Sequence, residues 1–377
     1  MMQLRDSFTR FVLLATLIAA TTSLGCASGK YGRHTNELRQ QSREQANRFR
    51  AATEWDVAQQ HFQTGDIKTS LEHAKNAARL DPENPLSRVL LTRIYIEQAD
   101  ITRALAASQE GLDIEPNLAD LWYYRGVAFE RGQSLDNALQ SYQNAAELDP
   151  DNPHYALAGA ELLIELNRLE DARQYLLSRS DQVRFTPAFR ATLAHIELME
   201  GRVPEAVALF REASILAPQD DSIREDLART LILAQRFAEA EPLLAHLCAT
   251  TNGRMRRDLQ VMHARCLLEL ERPVDARRIA LALTSNNADR SDPDLWALVA
   301  DVAITLGDNN LLFRAASRMI ALNPSADDGH IAMAIYHRRT GNLDRAYASA
   351  QNAVARSNGD ESASRLLELL RREREGS

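Results

Sequence analysis

The chain has 377 residues, of which 45% are hydrophobic and only 6% aromatic, and its formal net charge at pH 7 is -8. An acidic balance argues against sequence-independent binding to nucleic acid, because that requires a positive surface that displaces phosphate counterions. The composition suits an all-helical protein, since no sustained alternation of apolar and polar residues indicates strands.

The first 25 residues are typical of a secretory signal peptide. Two arginines precede an apolar run from Phe11 to Ala20, which is shorter than the roughly 20 residues that span a bilayer. The segment ends in Gly25 and Cys26, and this end resembles a bacterial lipobox, in which the cysteine becomes the lipidated first residue of the mature chain. The alternative is an ordinary signal peptide, cleaved near Ala20 or Gly25, in which Cys26 is incidental.

Residues 26–50 are interpreted as the lipidated cysteine and a basic tether, because residues 27–50 hold six basic and two acidic residues, a net charge of +4. Beside a lipid anchor, such a segment can rest on anionic headgroups. A solvated helical lead-in to the following repeats is the alternative. In enterobacterial lipoproteins, alanine directly after the cysteine, here Ala27, is compatible with export to the outer membrane. We therefore expect a lipid-anchored protein of the bacterial cell envelope, at the outer membrane and facing the periplasm.

From residue 51 to residue 358, small residues recur at a nearly fixed spacing. The intervals are 34 residues, apart from two of 36, and Leu312 replaces one small residue. One series comprises Ser70, Ala104, Ala138, Ala172, Ala206, Ala240, Ala276, Leu312 and Ala346. A second series, twelve residues upstream, comprises Ala58, Thr92, Gly126, Ala160, Ala194, Ala228, Ala264, Ala300 and Ala334. A period of about 20 to 50 residues predicts a stack of repeats, each of which buries its apolar side against its neighbours.

The third repeat, residues 119–152, has the clearest internal pattern. Trp122, Gly126, Phe129, Ala138 and Tyr142 belong to apolar positions three to four apart, which predicts two amphipathic helices joined by a tight turn. Gly126 and Ala138 are expected where the helices cross, because small side chains allow close approach. The same pattern gives nine repeats: 51–84, 85–118, 119–152, 153–186, 187–220, 221–256, 257–292, 293–326 and 327–358.

These residues resemble the tetratricopeptide repeat, whose signature runs Trp, Leu, Gly, Tyr, Ala, Phe, Ala, Pro over 34 positions. The resemblance implies an all-α fold, a right-handed α-solenoid of about nine helix-turn-helix repeats, with residues 359–377 as a capping helix and tail. It also implies glycine at the turn between the two helices, as at Gly65, Gly201, Gly307 and Gly341. The fourth repeat departs from the pattern, with Arg184 in place of the closing proline.

The resemblance further implies a concave groove lined by the first helix of each repeat. The twelfth position faces inward in this family, and the ninth lies beside it. Here the twelfth row comprises Phe62, Ile96, Glu130, Ile164, Leu198, Ile232, Leu268, Ile304 and Arg338. The ninth row supplies mixed charges at Arg93, Glu161, His195, Arg229 and Arg265. An exposed apolar strip with a polar rim marks a protein-binding surface. The alternative is that bends between repeats turn part of the row into inter-helix core.

We expect no catalytic, cofactor or metal site, because the sequence holds no phosphate-binding glycine loop, zinc-protease helix or nucleophile elbow. His330 and His337 share a helix face, but a third ligand is not evident. Cys248 and Cys266 are placed on helices of neighbouring repeats, so they form either a disulfide or two buried free thiols, and free thiols are preferred.

The predicted function is a non-enzymatic, lipid-anchored scaffold in cell-envelope assembly that binds proteins or peptides in its groove. No nucleic acid and no small-molecule substrate are expected. One alternative is a dedicated assembly lipoprotein of a pilus or secretion machine, since small tetratricopeptide lipoproteins of that sort exist. The other is an accessory that positions a cell-wall or polysaccharide enzyme.

Overall fold

The computed structural model describes residues 31–179, 181–285, 291–357 and 361–375, and within these ranges every regular element is a helix. Contacts divide the chain into an N-terminal half, up to Leu162, and a C-terminal half, from Leu163. The predicted signal peptide and Cys26 lie outside the described residues.

The N-terminal half is built of helical hairpins in which consecutive helices pack on each other. Its helices are α1 (Tyr31–Gln63), α2 (Ile67–Leu80), α3 (Pro85–Glu97), α4 (Ile101–Ile114), α5 (Ala119–Arg131), α6 (Leu135–Leu148) and α7 (Pro153–Glu165), the last of which crosses the boundary between the halves. Helix α1 joins the predicted tether to the first repeat without a break, and residues 35–50 of it are exposed. The tether is therefore a helical lead-in over the part that the structure describes.

The C-terminal half continues the hairpin pattern. Its helices are α8 (Leu169–Leu177), α9 (Asp181–Arg184), α10 (Pro187–Met199), α11 (Val203–Leu216), α12 (Asp221–Leu233), α13 (Phe237–Ala249), α14 (Arg257–Glu269), α15 (Pro273–Ser285), α16 (Pro293–Leu306), α17 (Asn309–Leu322), α18 (Asp328–Arg339), α19 (Leu343–Val354) and α20 (Glu361–Glu375), with a 3-10 turn at Gly253–Met255. In the fourth repeat, α8 ends at Leu177 and is followed by the short helix α9. Helix α9 ends at Arg184, the residue that replaces the closing proline.

Polar side chains cap many of these helices at their N-termini. Asp66, Asp100 and Asp308 each accept a hydrogen bond from the backbone N–H three residues later, at the starts of α2, α4 and α17. At the start of α3, Asn84 accepts from the N–H of Leu86, two residues later. Such caps satisfy N–H groups that have no partner within the helix, and they contribute about 1 kcal/mol each.

The turn between the two helices of each repeat has a left-handed residue at one equivalent position. Gly65, Gly201, Gly307 and Gly341 have φ between 71° and 81°, as their place in the repeat predicts. The other five repeats use non-glycine residues in the same conformation, with φ between 56° and 59°: Ala99, Gln133, Asn167, Gln235 and Glu271. A side chain at positive φ is strained, so these five turns retain a cost that the four glycines avoid.

Both series of small residues lie in the core. Every alanine of the two series is buried, and in the first hairpin the Ser70 hydroxyl donates a hydrogen bond of 2.8 Å to the Ala58 carbonyl oxygen. At Gly126, a Cβ would lie 2.6 Å from the ring of Tyr142. The close helix crossings predicted from the recurrent small residues are confirmed.

Helix α20 closes the C-terminal end of the stack. Leu370 and Ala363 are fully buried, and Leu370 packs with Leu343 and Tyr347 of α19. Ion pairs from Arg338 to Glu373 and from Arg374 to Asp344 join the charged residues of α20 to the last repeat. The predicted capping helix is confirmed, since its apolar residues cover the last hairpin.

Candidate functional site

A cleft of about 830 Å³ lies in the C-terminal half among the first helices α12, α14 and α16. Its apolar lining comprises Ile232, Phe237, Val261, Met262, Cys266 and Leu295. Its charged lining comprises Arg229, Arg257, Asp258, Arg265, Glu269 and Asp294. An apolar floor with a charged rim suits an apolar side chain of a ligand whose neighbouring polar groups are held at the edge.

The floor of the cleft is supported by the core beneath it. Ile232, Phe237 and Met262 are partly buried and pack against a core cluster that includes Phe210 and Leu244. Because close-packed side chains beneath the floor restrict its movement, the cleft is largely formed before a ligand arrives.

An ion-pair network occupies part of the rim. The Arg229 guanidinium donates to Glu225 at 2.7 Å and to Asp258 at 3.3 Å, and Arg256 donates to Glu225 at 2.6 Å. Burial acts to raise the pKa of Glu225, but hydrogen bonds from Arg256 and Arg229 outweigh it and lower that pKa. The carboxylate of Glu225 is therefore ionised at neutral pH and holds Arg229 at the edge of the cleft.

Other residues of the rim carry charges that are available to a ligand. Within residues 31–179, 181–285, 291–357 and 361–375, the side chains of Arg265, Glu269 and Asp294 form no ion pair. Burial raises the pKa of the Asp301 carboxyl. The charge of Arg265 acts in the opposite direction, but its effect is smaller. Unpaired charges of both signs can orient the polar groups of a bound segment.

The structure brings three of the predicted groove residues together, since Arg229, Ile232 and Arg265 all line this cleft. Leu268 and Ile304 are half-buried instead and pack against the core that includes Leu298. Leu198 and Ile164 are also half-buried, and Leu198 contacts the core around Phe210. The apolar row therefore contributes to the core as well as to the groove.

Two predicted residues of the N-terminal half have other roles. Ile96 is only 3% exposed and belongs to the core, so its expected place on an open groove is wrong. Close packing of α3 against its neighbours buries this side chain, and the Arg131 guanidinium caps its carbonyl oxygen at 2.8 Å. Phe62 is half-buried beneath Arg93, whose guanidinium carbon lies 4.6 Å from the centre of the ring.

The remaining charged residues of the ninth row differ in environment. His195 is exposed, lies 3.3 Å from Asp226 and meets the ring of Phe210 edge-on at 5.0 Å. Glu161 is exposed, and the pKa of its carboxyl is raised by partial burial and by the charge of Glu130. These residues can offer polar contacts at the surface.

Sequence reasoning missed part of the exposed apolar surface. Met199 is 54% exposed and Leu233 is 62% exposed, and they directly follow Leu198 and Ile232 in the chain. The available signal was an apolar residue at the thirteenth position of two successive repeats. Phe237 of the cleft floor was also missed, because it lies on a second helix, where the repeat pattern predicts core.

The two cysteines of the repeats are free thiols. Cys266 is buried, and its sulfur donates a weak hydrogen bond of 3.4 Å to the Phe237 carbonyl oxygen. Burial raises the pKa of Cys266 to about 11, so the thiol stays protonated and unreactive at neutral pH. Cys248 is half-buried. The alternative of a disulfide is not realised in the structure.

In the part of the chain that the structure describes, no group of three or more His, Cys, Asp and Glu side chains is arranged to hold a metal ion. Over the same residues, no helix combines the length and the apolar character needed to cross a bilayer.

Family models for the tetratricopeptide repeat match residues 89–153, 131–196 and 197–256. Residues 89–256 are tetratricopeptide repeats.

Two curated proteins are similar to parts of the chain. The human protein O-mannosyl-transferase TMTC3 is 23% identical over 248 residues, 63% of this chain and 24% of that protein. The protein bimA of Emericella nidulans is 29% identical over 87 residues, 23% of this chain and 11% of that protein. The chain thus matches less than a quarter of the length of either relative.

Several solved structures resemble parts of this chain. A tetratricopeptide protein of Thermus thermophilus is 22% identical, covers 48% of this chain and 99% of its own, and has a TM-score of 0.38. The pilF protein of Pseudomonas aeruginosa is 12% identical, covers 56% of this chain and 99% of its own, and has a TM-score of 0.46. A tetratricopeptide repeat protein of Parabacteroides merdae is 15% identical, covers 85% of this chain and 98% of its own, and has a TM-score of 0.37.

Proposed function

We propose that the protein is a non-catalytic, lipid-anchored scaffold of the bacterial cell envelope that captures an extended segment of a partner protein in the cleft of α12, α14 and α16. The observation that carries the proposal is the cleft itself, which joins an apolar floor to unpaired rim charges. Tetratricopeptide repeats over residues 89–256 support it, because repeats of this kind hold other proteins.

The cleft favours a segment with one large apolar side chain between polar residues. Ile232 and Met262 would contact the apolar side chain, and Arg265 and Asp294 would meet groups of opposite charge beside it. Fully buried central contacts dominate the affinity of such interfaces, whereas the rim excludes water and sets the orientation. Loss of the apolar floor should therefore weaken binding more than loss of a rim charge.

The anchoring part of the proposal rests on the lipobox-like end of the leader and on helix α1. About 20 residues of α1, from residue 31 to residue 50, precede the first hairpin, and a helix of that length spans about 30 Å. A lipid on Cys26 would hold the repeats at the membrane, and the helical lead-in would lie between the lipid and the first hairpin.

The absence of catalysis belongs to the proposal as well. Mannosyl transfer is stated for a relative of which this chain matches only 24%, so that activity is not carried over. The buried Cys266 is a protonated thiol and a poor nucleophile. We infer that the cleft binds its ligand without chemical change to it.

The test is site-specific photo-crosslinking in native membranes, with the crosslinker at position 265 and mass spectrometry of the products. We expect a discrete partner that is lost in an Ile232→Ser, Met262→Ser double variant. Val274→Ser is the matched control, because Val274 is an apolar residue of the same half that is 70% exposed and lies outside the cleft.

Crosslinks that survive the double variant would show that the cleft is not the binding site, provided that the variant keeps its melting temperature. The identity of the crosslinked protein decides the process. A pilus or secretin subunit would indicate the machine-assembly alternative, and a cell-wall or polysaccharide enzyme would indicate the accessory alternative.

A further inference from the structure

A second surface, of different chemistry, lies in the N-terminal half. It consists of the half-exposed rings of Tyr123 and Tyr124 on α5 together with the carboxylates of Glu130 on α5 and Glu161 on α7. We call these four residues the tyrosine surface. Glu130 and Glu161 occupy the twelfth and the ninth positions of their repeats.

The rings form a packed aromatic group rather than isolated side chains. The ring of Tyr123 lies 5.1 Å from that of Tyr124, 5.7 Å from that of Tyr142 and 5.4 Å from that of Tyr155. Tyr142 and Tyr155 are only 2% and 7% exposed, so they support the outer rings from below. Their hydroxyls donate to the carboxylates of Glu130 at 2.6 Å and Asp120 at 2.8 Å. The surface is therefore fixed before any partner binds.

The carboxylates of this surface have no paired cation in the part of the chain that the structure describes. Among the described residues, no cation pairs with Glu130 or Glu161, and Glu161 accepts no hydrogen bond. Partial burial and the charge of Glu130 both raise the pKa of Glu161, as expected for two carboxylates that repel each other. Burial and the same two carboxylates raise the pKa of the Tyr123 phenol. A positive charge placed here would relieve this repulsion.

The ring of Tyr124 already contacts a guanidinium group of the chain itself, that of Arg93. The guanidinium carbon of Arg93 lies 5.3 Å from the centre of the Tyr124 ring and 4.6 Å from that of Phe62. Among the described residues, no carboxylate pairs with Arg93. Arginine over an aromatic face is a favourable arrangement in its own right, and it is stronger when a carboxylate is also within reach. The ring of Tyr123, with Glu130 and Glu161 nearby, offers both features to a second cation.

We propose that the tyrosine surface docks a basic segment of a partner protein, in which an arginine or lysine side chain lies against Tyr123 and pairs with Glu130 and Glu161. Charge complementarity favours this occupant, because anionic segments and anionic lipid headgroups would be repelled by the same carboxylates. The tyrosine surface shares no residue with the cleft, so the chain offers one set of residues for an apolar anchor and another for a cationic one.

The test is titration of the full chain with two fluorescently labelled peptides of equal length, one bearing arginines and the other bearing glutamates at the same positions. We expect the basic peptide to bind more tightly and its affinity to fall with added salt, as charge pairing requires. The Glu130→Gln, Glu161→Gln double variant should weaken binding about tenfold. Glutamine keeps the acceptor for the Tyr142 hydroxyl, so the fold should be retained, and an unchanged melting temperature checks this.

The matched control is Glu115→Gln with Glu147→Gln, two exposed glutamates of the same half whose loss changes the net charge equally. This control should leave the affinity for the basic peptide unchanged.

Equal weakening in both double variants would overturn the proposal, because it would reveal general attraction to an acidic protein. Equal affinity for the two peptides would overturn it too. Basic-peptide binding that is lost in the Ile232→Ser, Met262→Ser variant, but not in the glutamate variant, would place this ligand in the cleft. The absence of any crosslinked partner at the cleft would contradict the proposed function but not this proposal, because the two sites share no residue.

Discussion

Replacement of Ala99 by glycine should stabilise the second repeat. Ala99 has φ of 56° at the turn between α3 and α4, and its side chain is exposed, so the substitution removes strain without loss of a contact. The turn itself is held by backbone bonds, from the Ala99 N–H to Ile96 at 3.0 Å and from the Asp100 N–H to Tyr95 at 2.9 Å. Glycine can keep both of these bonds.

The size of the effect follows from two opposing contributions. Left-handed backbone costs a non-glycine residue about 1 to 2 kcal/mol. Glycine loses more chain entropy on folding than alanine, at a cost of about 0.5 to 1 kcal/mol. The difference predicts a gain of about 0.5 to 1 kcal/mol for Ala99→Gly. The Asn167→Gly control should gain less, because asparagine tolerates the left-handed region.

Native-state hydrogen exchange of the full chain is the suitable assay, because each repeat contacts its neighbours and the gain should be largest near the changed turn. Amides of α3 and α4 should exchange about two- to fivefold more slowly, which corresponds to the expected free energy. Faster exchange in Ala99→Gly, or an equal gain in Asn167→Gly, would refute the reasoning. Gly201→Ala should have the reverse effect, since it places a side chain at φ of 75°.

Three further predictions concern the anchor, a buried charge and acid stability. Cys26→Ser should abolish labelling by a fatty-acid analogue and release the protein from membranes; unchanged membrane retention would exclude the lipoprotein interpretation. Glu197→Ala should cost about 2 kcal/mol in a urea titration, because Glu197 is only 5% exposed and accepts a hydrogen bond from Arg173 at 2.9 Å, whereas the guanidinium that is left behind is partly exposed. A cost below the error of the titration would mean that the pair is dispensable. Folding lowers the pKa of Glu225, so the ionised carboxylate stabilises the fold at pH values above its unfolded pKa of about 4. This stabilisation is lost as the pH falls through the folded pKa. Glu225→Gln should make the free energy of unfolding less dependent on acid pH, and an unchanged pH profile of stability would contradict this prediction.

The sequence alone predicted the helices and their order, because these depend on local and periodic features. Small residues at fixed spacing require close helix crossings wherever they fall, and all the alanines of both series are buried. Glycine at the turn predicted positive φ at Gly65 and Gly201, but it did not reveal that Ala99 and Gln133 adopt the same conformation. Those turns are imposed by the packing of the two helices, which outweighs the preference of a single residue.

Which groove positions are open to a ligand was decided by the tertiary structure. Ile96 and Ile232 occupy the same position of their repeats, yet Ile96 is buried and Ile232 lines a cleft. A repeat pattern specifies the direction of a side chain from its own helix, whereas exposure depends on the neighbouring helices. The tyrosine surface has the same origin, because Glu161 comes from the fourth repeat and its other three residues come from the third. Its combined charge exists only after those repeats have packed.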